Sequence, residues 1–178
     1  ALQLLARVPN QDADLLSFLN VVLSRTEPHL LKGQIYYLRC QLAMKIAQQG
    51  SLEERVGLMA IAESDARTLL DQFPGLSQIT NVYRLLAYAA LERQPAQYRA
   101  AADFLIQLRD QFRENQDLAE VNRLIGDCYF LNRDFANAVD FYSAADSLEV
   151  GSPRDGELFL RLISAQVRAG LILSLIHI

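Results

Sequence analysis

Residues 122–145 read N-R-L-I-G-D-C-Y-F-L-N-R-D-F-A-N-A-V-D-F-Y-S-A-A, and this stretch decides the fold. Apolar residues recur at helical spacing on both sides of Asn132-Arg133-Asp134. That pattern predicts two short amphipathic helices joined by a tight turn. Small residues stand where the two helices must approach closely: Gly126 in the first, Ala138 and Ala145 in the second. Tyr129 and Tyr142 fill the space beside them.

Outward from this hairpin the same register repeats. Arg84-Leu85-Leu86-Ala87, Arg123-Leu124-Ile125-Gly126 and Arg161-Leu162-Ile163-Ser164 follow one another at intervals of about 38 residues. Asp71-Gln72-Phe73 recurs as Asp110-Gln111-Phe112, and Ala101-Ala102-Asp103-Phe104 as Ala138-Val139-Asp140-Phe141. Ala62 falls in line with Ala101 and Ala138, and Ala43 holds the small-residue place in an earlier hairpin.

Ile125, Gly126 and Tyr129 stand at the spacing of L-G-x2-Y, and Ala138 with Tyr142 at that of A-x3-F. The stretch therefore resembles one tetratricopeptide repeat, with Asn122 where that pattern has Trp. The resemblance covers roughly residues 30–170 as a divergent array of bacterial type. It implies an all-α, right-handed superhelical stack of antiparallel hairpins. A non-catalytic scaffold of this kind binds a protein or peptide segment on its concave surface. The competing reading is a sensor or regulatory repeat domain of a larger protein or enzyme.

The expected layout is one domain: N-terminal helices in 1–28, hairpins at 29–74, 76–114 and 116–150, and a final unpaired helix in 153–170. Residues 171–178, L-I-L-S-L-I-H-I, read equally as native helix or as an appended tail, and carry no functional inference. Ala1 begins inside an apolar pattern, without Met, which points to a piece of a longer protein.

Local signals punctuate the chain. Ala1–Val8 reads as the last turns of a helix stopped by Pro9, and Asp12 or Asp14 can cap the next. Thr26-Glu27-Pro28 breaks that helix. Gly50 stands at a helix end where left-handed geometry is tolerated, and Ser51 with Glu54 spells a capping box. Phe73-Pro74-Gly75 stops a helix, Pro95 starts one, and residues 151–156 form a loop.

Composition narrows the function. Hydrophobic residues at 51% exceed what a disordered chain carries, and a net charge of −4 argues against nucleic acid. No apolar run is long enough to span a bilayer, and no P-loop, dinucleotide, nucleophile-elbow or zincin motif occurs. Cys40 and Cys128 read as buried small hydrophobes, without metal spacing. His29 and His177 read as solvated chain-end groups rather than bases. Adjacent Glu53 and Glu54 point to different sides of a helix. Asp103 and Asp140 read as repeat-structural. Neither catalysis, nor a cofactor, nor a metal is expected.

The candidate site is the arginine register. The resemblance places Arg84, Arg123 and Arg161 in first helices on the concave face, with Tyr88 and Asp127 one turn on and Phe130 and Arg168 beyond. Three guanidinium groups in a row suit an acidic or C-terminal peptide segment. The alternative is that each Arg pairs within the chain, as Arg123 could with Asp127 at i+4. Tyr88 and Asp127 stand where the family's carboxylate clamp has Asn, so that clamp's ligand is not expected. The packing residues are Ala43, Ala62, Ala87, Ala101, Gly126, Tyr129, Ala138, Tyr142 and Ala145. Self-association through the C-terminal end is a further expectation, because no second helix follows to cover the last one.

Overall fold

The computed structural model describes residues 12–25, 30–112, 114, 117–148 and 156–170. The expectations for Ala1–Val8, for the break at Thr26-Glu27-Pro28, for the loop before Gly156, for His29 and for the 171–178 tail lie outside these residues. The described chain is all-α: eight helices and no strand. They are α1 Asp12–Arg25, α2 Leu30–Gln49, α3 Leu52–Gln72, α4 Ile79–Leu91, α5 Tyr98–Gln111, α6 Leu118–Leu131, α7 Phe135–Leu148 and α8 Gly156–Arg168. They fall into two compact units that meet in sequence between Ala89 and Ala90, inside α4.

In the first unit α2 and α3 form the main hairpin and α1 packs on α2. The capping box is present: Ser51 Oγ accepts from Glu54 N, and Glu54 Oε2 accepts from Ser51 N at 2.9 Å. Hydrogen bonds from Ser51 also lower the Glu54 carboxyl below its ordinary value. Gly50 does not take left-handed geometry, contrary to expectation. Its N–H continues the helical ladder to Ile46 O at 3.0 Å, and Ser51 turns the chain as an extended N-cap. α3 ends where Phe73 caps it, before Pro74. The core gathers Leu19, Ile35, Ala43, Ala62, Leu69, Val82, Leu86 and Ala87.

Cys40 lies in this core, donating its thiol to Ala62 O at 3.2 Å, and burial pushes its pKa up to about 12. Burial also pushes Cys128, in the second unit, up to about 11. Neither forms a disulfide.

In the second unit α5, α6, α7 and α8 pack successively, each on the next. Pro95 does not begin α5. Gln97 N–H bonds back to Ala90 O at 2.9 Å, and the helix starts after it at Tyr98. Asp117 caps α6 by accepting from Glu120 N at 3.1 Å. At the heart of the α6–α7 hairpin Gly126 faces Tyr142. A Cβ at Gly126 would lie 2.6 Å from two carbons of that ring. Ala138, Tyr142 and Ala145 are buried along α7, and Ile125, Gly126 and Tyr129 along α6.

The turn between them has a left-handed residue where glycine is usual. Arg133, at φ 62°, donates to Phe130 O, and Asp134 donates to Tyr129 O at 2.9 Å. These two bonds close α6 in the manner of a Schellman motif. A side chain with Cβ is disfavoured in that region. Arg133→Gly should therefore raise stability, by up to about 1 kcal/mol, read as a higher denaturant midpoint with an unchanged slope. A lower midpoint would mean that Arg133 makes compensating contacts.

Candidate functional site

The sequence places an Asp and an aromatic on the last turns of α6, and α8 lies beside them. Between the two helices is an open cavity of about 510 Å³, lined by Asp127, Phe130 and Leu131 of α6, Tyr142 of α7, and Glu157, Leu160, Arg161 and Ser164 of α8. Helical spacing explains the α8 set: positions 157, 160, 161 and 164 share one face. Leu131 and Leu160 supply exposed apolar walls, at 56% and 67% of their full exposure. A lone exposed leucine is ordinary, but two that wall the same cavity form an apolar patch, which marks a candidate contact surface.

The floor is polar and internally paired. Asp127 Oδ1 accepts from Tyr142 Oη at 2.7 Å and also from Arg161 Nη1. The other terminal nitrogen of Arg161 donates to Glu157 Oε1 at 2.6 Å. Bonding to Asp127 first, and to Glu157 second, holds the guanidinium above its ordinary value. Burial, then the bond to Asp127, raises the Tyr142 hydroxyl. Arg161 is thus a permanent cation with two carboxylates beside it, and Tyr142 stays a neutral donor. At the rim Arg168 lies over the rings of Phe130 and Phe135, at 5.0 and 5.6 Å, and those rings meet edge-on.

The sequence-derived candidates do not all meet here. Asp127, Phe130 and Arg161 line the cavity, and Arg168 stands at its edge through Phe130. Asp127 engages Arg161 of α8, rather than being limited to the i+4 pairing open to Arg123. Arg123 is half-buried in α6 and already has an interaction partner. Arg84 and Tyr88 belong to the first unit. Arg84 is half-buried and also partnered, while Tyr88 accepts from Gln48 Nε2 at 3.2 Å. Leu131, Glu157, Leu160 and Ser164 were not singled out by the sequence. Glu157 and Ser164, four before and three after Arg161 on α8, could have been found by continuing that face; Leu131 and Leu160 carried no such signal.

Among the described residues no cluster of His, Cys, Asp and Glu could hold a metal ion, and no helix is long and apolar enough to cross a membrane. Asp103, read as structural, lies 3.4 Å from Arg99 on the same helix. No family model matches the chain, and a search of curated proteins finds no match.

Proposed function

We propose that this chain is a divergent tetratricopeptide-type scaffold, a right-handed stack of helix hairpins that binds a protein or peptide segment without catalysis. The observation that carries the reading is the α6–α8 groove: two exposed leucines over a floor of ion-paired polar groups. Repeat spacing supports it, because α6 and α8 carry the same Arg-Leu-Ile register 38 residues apart. Such a floor has few unmet charges, so the walls supply the affinity and the polar rim supplies orientation. The segment that fits carries a bulky apolar anchor. An acidic flank would be drawn mainly by exposed Arg168 at the groove's edge, since Arg161 already holds two carboxylates.

A random peptide library panned on the chain tests this, with Leu131→Asp as the counter-selection. Enriched peptides should share an apolar anchor, and should bind the variant at least about tenfold more weakly in calorimetry. Leu131 is exposed, so the melting temperature should hold. Peptides that bind both chains equally would place recognition elsewhere.

A further inference from the structure

We propose that α8 is a latched wall of the groove: it detaches from α6 and α7 as one body, and the Arg161–Asp127 bond is its latch. This regulation rests on the α6–α8 groove being the binding site, since an undocked α8 leaves no groove to fill.

Little apolar burial holds α8 in place. It buries only Leu158 and Ala165, against six residues of α6 and four of α7. Phe159, Leu160 and Val167 are exposed while the helix is docked, so undocking costs little there. Polar ties add to the attachment, from two cations about two turns apart on one face. Arg161 reaches Asp127 of α6, and Arg168 lies over Phe130 of α6 and Phe135 of α7. Glycine bounds both ends. Gly156 opens the helix with nothing within 4 Å of where a Cβ would stand, and Gly170 follows it at φ 75°. Such residues absorb backbone rotation readily.

The latch can open without orphaning a charge. When the Arg161–Asp127 bond breaks, Arg161 keeps Glu157, four residues earlier on its own helix. Asp127 keeps the Tyr142 hydroxyl at 2.7 Å, and its side chain is 25% exposed to water. The Arg39–Asp65 pair of the first unit is the opposite case. Asp65 is buried, and among the described residues it takes its hydrogen bonds from Arg39 alone. Parting that pair would strand a buried carboxylate. The α8 latch strands nothing.

Hydrogen exchange of the whole chain, followed helix by helix, reads the opening. α8 amides should exchange at least about tenfold more readily than the amide of Ile125 in α6. Their dependence on denaturant should also be shallower, because opening exposes one helix and not the whole fold. Raising salt from about 20 mM to about 1 M should speed α8 exchange at least about threefold, since screened charges part more easily. Arg161→Met should speed it about tenfold in dilute salt and remove most of the salt response. Loss of packing alone would leave that response intact. A peptide enriched on the chain, at about ten times its Kd, should slow α8 exchange about tenfold.

Opening and its salt response need no ligand, so failure to enrich any peptide would sink the groove reading while the latch stands on its own measurements. α8 amides as protected as Ile125, a denaturant slope shared with it, or a salt response unchanged in Arg161→Met would overturn the latch. A bound peptide that leaves α8 exchange unaltered would overturn its role at the groove.

Discussion

Arg39→Met should lower the stability of the first unit by about 3–5 kcal/mol at neutral pH, the largest effect expected of a single polar substitution. Arg39 grips Asp65 with two bonds, Nε to Oδ2 at 2.7 Å and Nη2 to Oδ1 at 2.5 Å, and donates from Nη1 to Asn20 at 2.7 Å. One guanidinium thereby ties α1, α2 and α3 together, over the face of Tyr36 at 5.6 Å. The Asp65 side chain is only 2% exposed. Burial pushes its carboxyl above the ordinary value even with Arg39 beside it, and without Arg39 the burial effect is unopposed.

An acid raised in the folded state binds more protons there than in the unfolded chain, so its contribution falls as pH rises. The variant's deficit should therefore narrow in acid, where Asp65 is protonated and uncharged. Arg39→Met combined with Asp65→Leu should recover most of the loss, because an apolar pair replaces a buried ionic one at little net cost. Denaturant unfolding of the parent and the two variants reads this out. A single variant within about 1 kcal/mol of the parent would show that the pair contributes no more than a surface bridge.

Gly126→Ala should also destabilise, although alanine is the better helix former by about 1 kcal/mol. The added Cβ would stand 2.6 Å from two ring carbons of Tyr142, well inside van der Waals contact. That ring cannot swing aside cheaply, because it is buried and its hydroxyl is held by Asp127. Overpacking of this kind costs roughly 1–3 kcal/mol, and Gly126→Leu should lie at or above the upper end. Tyr142→Leu removes the ring, so in a double-mutant cycle the glycine substitution should cost less on that background. An unchanged melting temperature for Gly126→Leu would show that α6 and α7 do not approach at this point.

What the sequence made legible was local or periodic. The Ser51–Glu54 box, the stop at Phe73-Pro74 and the α6–α7 hairpin each rest on neighbours in the chain or on spacing within one helix. The close approach of Gly126 to the second helix was readable because only a residue without a side chain fits that place in the register. Pairings between helices were not readable. Arg39 and Asp65 look like two ordinary surface charges until α2 and α3 fold together. Asp127 has Arg123 at helical spacing in sequence, and it also bonds Arg161 of α8, 34 residues on. Arg133 breaks the glycine habit of helix ends, and the turn's bonds, not its residue type, define it. The cavity walls were missed for a related reason. Leu131 ends an apolar pattern whose Val121, Ile125 and Tyr129 are buried, while α8 buries only Leu158 and Ala165 of its apolar residues, and only packing decides which ones remain exposed.

The groove itself is tested most directly by methyl-resolved NMR of the chain titrated with a peptide enriched on it. Bound peptide should shift the methyls of Leu131 and Leu160, and cross-peaks should connect its apolar anchor to those groups. The outer face of α7, around Ala136 and Ser143, should stay unmoved. Shifts confined to that outer face, with Leu131 and Leu160 unchanged at saturation, would contradict the account.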